Sequence, residues 1–160
     1  MNVKILKMLE EDARISVADI ATALDMTREE VEEEISDMEQ KGIIRGYKCV
    51  VDEDALDSDT VSAIIELKVT PKAGRGFEEV AEKITLYPSV ESVYLMSGAC
   101  DLTVIVRGKS FREVSSFVSR ELATIDGVTA TATQFIMKRY KDFGVELVGS
   151  HLDERRRVIL

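Results

Sequence analysis

The sequence predicts an α+β protein in which a small helical part precedes a mixed part of strands and helices. In the first fifty residues, apolar side chains recur at helical spacing and two capping signals interrupt them. After residue 60, β-rich runs are separated by two amphipathic stretches, in the order βαββαβ. That order is typical of the split-βαβ, ferredoxin-like arrangement. A chain of 160 residues has room for two small domains of this kind.

Three helices are predicted before residue 43. Apolar residues at helical spacing mark the first: Val3, Ile5, Leu6 and Leu9. Ser16 begins the second, with Asp19 at the position where a capping box usually has Glu or Gln. Thr27 begins the third, with Glu30 completing a regular capping box, and Gly42 is suited to a left-handed C-terminal cap. A tight turn between the second and third helices makes this a helix-turn-helix.

The second part begins after a change of period. Residues 43–51 are strand-like, and the polar stretch 52–59 is predicted to be a hinge. Four strands are predicted beyond it, at residues 61–70, 89–96, 101–108 and 128–140, and a short fifth at 144–148. The predicted organisation is therefore a helix-turn-helix domain with its connecting strand, a hinge, a ferredoxin-like domain and a tail: residues 1–51, 52–59, 60–148 and 149–160.

Composition excludes several classes of protein. The net charge of −9 argues against indiscriminate binding to nucleic acid or anionic membrane. No apolar run has the length of a membrane span and no signal peptide is recognised, so a cytoplasmic location is expected. Cys49 and Cys100 are expected to be reduced thiols packed as small hydrophobes. With His151 as the single histidine, they do not supply a zinc site.

Two segments resemble the Lrp/AsnC (leucine-responsive, feast/famine) family of transcription regulators. VEEEISDMEQKGIIRGYKCVVDEDAL resembles the third helix, following strand and hinge of its winged-helix-like DNA-binding domain. YPSVESVYLMSGACDLTVIVRG resembles the centre of its ligand-sensing RAM domain. The resemblance implies a regulator that binds double-stranded DNA as a homodimer, tetramer or octamer and responds to a small molecule. It also implies that strand 43–51 pairs with its twin across the dimer and that the two sheets pack face to face.

An uncovered sheet face agrees with this expectation. A four-stranded sheet with two helices on one side leaves its other side open, and a second copy is the expected cover. Along the strand 61–70, five residues would share one face: Val61, Ala63, Ile65, Leu67 and Val69. We expect these residues to belong to the face that a second copy covers.

The charge of the third helix raises a conflict with DNA binding. Residues 27–41 contain seven acids and two bases, and affinity for DNA comes chiefly from neutralised phosphates. The first residues of such a helix meet base edges, and nearby cations meet phosphates. The predicted DNA-binding residues are Thr27, Arg28, Glu29, Glu32, Lys41 and Arg45. The family usually has arginines where this chain has Glu34 and Asp37.

Two interpretations of this helix stay open. In the first, Arg28 contacts a guanine edge or a phosphate while the glutamates discriminate against wrong sequences. In the second, the acids form a solvated face that complements the helix dipole, and the protein is an amino-acid-sensing or assembly protein with weak or lost DNA binding. A third class is an enzyme, but the sequence contains no nucleophile–base pair and no metal-ligand spacing.

The stretch SGACD, residues 97–101, is the candidate effector site. It matches the Gly-x-x-Asp turn of the family, and it suits an amino acid because turn N–H groups hold a carboxylate while Asp101 accepts from an ammonium. The predicted ligand-binding residues are Ser97, Gly98, Asp101, Thr131 and Thr133. The alternative is a plain hairpin turn in which Asp101 caps its own backbone. No metal and no cofactor beyond an amino-acid effector are expected.

Overall fold

The computed structural model describes residues 2–56, 59–71 and 75–147. The predicted tail, with His151 and the basic run 155–157, lies outside the described residues, as do Val148 of the predicted last strand and two residues of the predicted hinge. The chain divides into two compact units, Met1–Val51 and Asp52–Leu160. Each unit has a hydrophobic core of its own.

The first unit contains the three predicted helices, α1 (Val3–Glu11), α2 (Val17–Leu24) and α3 (Arg28–Gln40). Its core is formed by buried apolar side chains, one or two from each helix: Ile5, Ile20, Ala21, Val31 and Met38. The Asp25 backbone is left-handed, with φ of 54°, and this residue ends α2 and makes the tight turn before α3. The helix-turn-helix prediction is confirmed.

Both N-terminal caps form at the predicted residues. At α2, Ser16 Oγ accepts from the Asp19 N–H at 3.1 Å, and the Asp19 carboxylate accepts from the Ser16 hydroxyl at 2.6 Å. At α3, Thr27 and Glu30 form the complete capping box, each side chain accepting from the other residue's backbone N–H. The first turns of both helices therefore have partners for N–H groups that the helix itself leaves unpaired.

Gly42 ends α3 in a Schellman motif. Its φ is 68°, its N–H donates to the Glu39 carbonyl at 2.9 Å, and the Ile43 N–H donates to the Met38 carbonyl at 2.9 Å. A side chain is disfavoured at this left-handed position, and a Cβ there would lie 3.2 Å from the Arg45 guanidinium. The direction in which the chain leaves α3 is therefore fixed by a glycine.

The strand predicted at residues 43–51 does not form within the single chain. Residues 45–51 have no helix or strand assignment, and their backbone groups make no hydrogen bond to another described residue. Cys49 in this segment is exposed, so the prediction that it packs as a small hydrophobe is wrong for the single chain. The reason is physical, because a strand needs a neighbouring strand and this unit supplies none.

The second unit is the predicted βαββαβ arrangement. Its elements are β1 (Val61–Val69), α4 (Glu78–Thr85), β2 (Val90–Leu95), β3 (Leu102–Gly108), α5 (Phe111–Arg120) and β4 (Val128–Ile136). The antiparallel sheet has the order β2-β3-β1-β4, so the first strand lies inside the sheet and β2 and β4 are its edges. This is the ferredoxin-like order.

The alternating apolar residues of β1 face the helices. Ala63, Ile65 and Leu67 are fully buried, and they pack with Val80 of α4 and Val114 of α5. The expectation that this row lies on the face left for a second copy is therefore wrong. The most regularly apolar row of a central strand is the one that the helices of the same chain bury. The open face carries the alternate residues of β1, which are Ser62, Ile64, Glu66 and Lys68.

Three element boundaries differ from prediction. Strand β4 ends at Ile136 rather than at residue 140, because the strand β1 that pairs with it begins at Val61. The predicted hinge includes a 3₁₀ turn, Glu53–Leu56. The last predicted strand is only β6 (Val145–Glu146), which pairs with β5 (Lys141–Asp142) in a hairpin.

Gly42→Ala should destabilise the protein by about 1–2 kcal/mol, because alanine must adopt the left-handed conformation that glycine tolerates. Gly46→Ala is the matched control, since a Cβ there meets nothing within 4 Å and its φ is not left-handed. Urea unfolding of the two variants measures the difference. Equal stabilities would show that the Gly42 turn is not rigid.

Candidate nucleic-acid interface and effector loop

The six predicted DNA-binding residues all lie on exposed surface of the first unit. Arg28 and Glu29 occupy the first turn of α3 and Glu32 follows one turn later, the positions from which a reading helix meets base edges. Arg28 makes no hydrogen bond or ion pair with another described residue, so its guanidinium is available. The Thr27 hydroxyl and N–H, in contrast, are both engaged with Glu30 in the capping box.

The two cations at the other end of α3 have partners within the unit. Lys41 Nζ lies 2.6 Å from Asp37 Oδ2, and Arg45 Nε donates to the Gly42 carbonyl at 2.8 Å. An exposed pair of this kind contributes little to stability. It does reduce the positive charge that Lys41 offers to a phosphate. The side chain of Arg45 is folded over the Gly42 turn, and its other nitrogens remain exposed.

The outward surface of α3 is acidic along its length. A shallow open groove there is lined by five polar side chains from successive turns of the helix: Glu32, Glu33, Ser36, Asp37 and Gln40. The first-turn acids Glu29 and Glu30 complement the helix dipole. The arrangement stabilises the helix and at the same time repels a polyanion that approaches it.

One contact in this unit was not anticipated from the sequence. Tyr47 Oη donates to Glu39 Oε1 at 3.0 Å, linking the segment 45–51 to the last turn of α3. Partial burial and the Glu39 carboxylate raise the pKa of Tyr47, so its hydroxyl stays protonated and remains a donor. No local pattern signals this bond, since the two residues meet only because the chain reverses at Gly42.

In the second unit, Asp101 joins three strands. Its Oδ2 accepts from the Val69 N–H at 2.8 Å, its N–H donates to the Leu67 carbonyl at 2.9 Å, and its carbonyl accepts from the Met96 N–H at 2.8 Å. The carboxylate thus bonds to the backbone of another strand, whereas the hairpin-turn alternative expected it to cap its own backbone. Ser97 and Gly98 lie on the exposed turn beside it.

Thr131 and Thr133 are not beside this turn. On β4 they pair with Leu67 and Ile65 of the neighbouring strand β1, so their side chains lie on the helix-covered side of the sheet. With β1 between them, the backbones of Thr131 and of β3 are separated by two strand spacings, roughly 10 Å. The alternation of 128–136 puts both threonines on one face of the strand, but the sequence does not show which face the helices cover.

An ionic cluster at the open face also escaped the sequence analysis. The Arg107 guanidinium lies 2.6 Å from Glu53 and 2.9 Å from Glu91, the second at an angle unsuited to a hydrogen bond. Arg139 donates to Ser62 Oγ at 2.8 Å. These contacts attach the 3₁₀ turn and the segment after β4 to the sheet. The participants are distant in sequence, so only the fold brings them together.

Among the described residues, no group of histidine, cysteine and carboxylate side chains is arranged to hold a metal ion. In the same part of the chain, no helix has the length and apolarity needed to cross a bilayer.

Comparison with known families identifies both units. Residues 2–45 match a model described as a winged helix-turn-helix DNA-binding domain, and residues 62–145 match the Lrp/AsnC ligand-binding domain. The chain belongs to the Lrp/AsnC family. It is a helix-turn-helix transcriptional regulator whose second domain is the ligand-binding domain of that family.

Full-length relatives of this Lrp/AsnC regulator have the same organisation. An uncharacterized HTH-type transcriptional regulator of Bacillus subtilis, YugG, is 41% identical over 157 residues, covering 98% of this chain and 94% of the relative. The HTH-type transcriptional regulator FL11 of Pyrococcus furiosus is 30% identical over 139 residues, covering 87% and 89%. The similarity therefore extends over both domains.

Solved structures show the same fold at lower identity. The crystal structure of PH0061 has a TM-score of 0.74 at 23% identity, covering 88% of this chain and 93% of its own. The L-Met complex of the transcriptional regulator NMB0573 from Neisseria meningitidis has a TM-score of 0.68 at 22% identity, covering 88% and 90%.

The capping box of α3 should make helix stability depend on pH. The Thr27 backbone N–H and then its hydroxyl lower the pKa of Glu30 below its ordinary 4.5. The stabilisation is therefore fully present above pH 4.5 and is lost as the pH falls through the lower, folded-state pKa. Glu30→Ala should be less stable than wild type at pH 7, with the difference shrinking below pH 4.5. Thermal unfolding followed by circular dichroism tests this, and a difference that persists unchanged at pH 3 would contradict it.

Proposed function

We propose that two copies of this regulator bind duplex DNA together, with the N-terminal turns of their α3 helices in successive major grooves about 34 Å apart. Arg28 is the main base or phosphate contact, and Glu29 and Glu32 select against bases that offer them no donor. The observation that carries the proposal is the exposed first turn of α3, with an unengaged Arg28, in a domain of the winged helix-turn-helix family.

Segment 43–51 is the proposed link between the two copies. Residues 45–51 make no backbone hydrogen bond to another described residue. Ile43, Tyr47 and Val51 are exposed, and their even spacing would put their side chains on one face of a strand. Pairing with the same segment of a second copy gives the backbone groups partners and covers these side chains, and the resulting contact is symmetric. The open sheet face of the second unit, with Ile64 and Ile105 on it, offers a second contact between the same two copies.

The charge of α3 predicts weak affinity for each dimer. Few phosphates are contacted when Lys41 is paired with Asp37 and the groove beside it is acidic. Binding to several adjacent sites by a tetramer or octamer would raise affinity through effective concentration. The same acidic groove favours a second candidate function, an effector-responsive assembly protein that binds no operator.

An amino acid is the proposed effector, and the turn at residues 97–101 is its proposed site. Gly98 has no atom within 4 Å of a Cβ position, so a ligand carboxylate can approach the backbone. One oxygen of Asp101 is bonded to Val69, and the other is left to accept from an α-ammonium. The L-Met complex of NMB0573 is a precedent for a structurally similar protein. Thr131 and Thr133 are less suited, because β1 separates them from the turn.

Selection of bound DNA from a random pool should enrich a palindrome. On that sequence Arg28→Ala should weaken binding by about 1–3 kcal/mol. Arg120→Ala, at the exposed end of α5, is the control and should bind as wild type does. A salt titration of wild type should have a shallow slope, in keeping with few phosphate contacts. If no sequence is enriched, the assembly function replaces operator binding. If Arg28→Ala binds the enriched sequence as wild type does, Arg28 is not the main contact.

Two substitutions of Asp101 should separate its structural role from its ligand role. Asp101→Ala leaves the half-buried Val69 N–H without its acceptor and should cost about 1–3 kcal/mol in urea unfolding. Asp101→Asn keeps an acceptor oxygen and most of the stability, but it removes the charge that an ammonium requires. Titration calorimetry with the twenty amino acids should therefore show binding to wild type and a loss in the Asn variant. Equal binding to both proteins would exclude Asp101 from the site.

A further inference from the structure

The exit of the chain from α3 is held by contacts on both sides of Gly42. The Schellman bonds fix the backbone at Gly42 and Ile43, and the Arg45 Nε bond to the Gly42 carbonyl stabilises the same turn. The Tyr47 bond to Glu39, at 3.0 Å, is formed farther along the segment. It connects the segment 45–51 back to the helix, so it restrains the angle between them.

This angle has a large effect at the other end of the helix. Thirteen residues of α3 span roughly 20 Å, with Glu39 near one end and Arg28 at the other. A tilt of about 10° at the Glu39 end moves Arg28 by roughly 3.5 Å over that length, which is close to the axial rise of one base pair, about 3.4 Å. A small error in the exit angle is therefore enough to place Arg28 at the wrong base.

Backbone bonds do not set the angle beyond the turn. Residues 45–51 make no backbone hydrogen bond to a described residue, and Tyr47 itself is half-exposed. In the proposed dimer, this segment of each copy is fixed to the other copy. Within the described part of the chain, the bond from Tyr47 to Glu39 is then the one side-chain hydrogen bond beyond Arg45 that connects the segment to α3.

We propose that Tyr47 and Glu39 are positioning residues that fix the spacing between the two DNA half-sites. This inference rests on the proposed function, because it concerns how two copies of α3 are carried on one duplex. The pair touches no DNA in this role. It acts through the orientation of α3, and its loss widens the range of spacings that the protein accepts.

A purely structural role would have a different signature. A single hydrogen bond contributes to folding stability no more than about three- to tenfold in the folding equilibrium. Removing the Tyr47 hydroxyl should therefore lower the unfolding midpoint only slightly, while the dependence of binding on spacing changes. A structural role would lower stability and reduce binding equally at every spacing.

The test uses the operator found by selection and derivatives whose half-sites are moved apart or together by one and two base pairs. Tyr47→Phe removes the donor and Glu39→Ala removes the acceptor, whereas Glu39→Gln keeps an acceptor oxygen without the charge. Tyr87→Phe is the matched control, because Tyr87 donates to Glu121 at 3.2 Å in a comparable surface bond of the other unit.

Full-length dimers of each variant are compared by fluorescence anisotropy and by urea unfolding. In Tyr47→Phe and in Glu39→Ala, the loss of affinity caused by a one-base-pair change should be smaller than in wild type by about three- to tenfold, the range that one hydrogen bond supports. The double variant should equal the single ones, since both lack the same bond. Glu39→Gln and Tyr87→Phe should keep the wild-type dependence on spacing.

A Tyr47→Phe protein with the wild-type spacing dependence would overturn the inference and leave the proposed function intact. So would a variant that loses affinity equally at all spacings. A wild-type protein that binds its selected operator without regard to spacing would overturn the paired reading of half-sites, and this inference with it.

Discussion

Residues 45–51 have backbone N–H and C=O groups that pair with no backbone group in the described part of the same chain, so in a single copy they are left to water. An unpaired segment with exposed side chains such as Tyr47 and Val51 can pair as a strand with another chain. The sheet of the second unit also has an open side, because α4 and α5 cover only one of its two faces. A second copy can pair with the segment and cover the open sheet face, and the proposed paired binding of DNA depends on these contacts.

Helix α3 shows how folding and DNA binding make opposite demands on the same side chains. Acids in its first turn complement the helix dipole, and Glu30 completes the capping box with Thr27. Asp37 pairs with Lys41 one turn apart. Each of these contacts favours the helix, and each reduces attraction to phosphate. Specific binding by such a helix depends on correct placement of a few groups, Arg28 first, rather than on bulk charge. Placement is also the role proposed for Tyr47 and Glu39.

Asp101 illustrates how a proposed binding site and a structural joint can share one residue. Its backbone and one carboxylate oxygen hold together the ends of β1, β2 and β3. An effector that recruits the other oxygen would act directly on a junction of three strands. A carboxylate already fixed by the Val69 N–H is also preorganised, so less conformational entropy is lost when a ligand binds.

The sequence by itself determined the elements that depend on neighbours within a few residues. Thr27 with Glu30, the left-handed Gly42 and the helical spacing of α1 each act locally, so the three helices followed from them. The order βαββαβ followed in the same way from β-rich runs and amphipathic stretches after residue 60. The tertiary structure decided which face of β1 the helices cover, the side on which Thr131 lies, the Asp101 bond to Val69 and the Tyr47 bond to Glu39. Alternation gives two equivalent faces until helices pack on one of them, and contacts between distant residues exist only after the chain has folded.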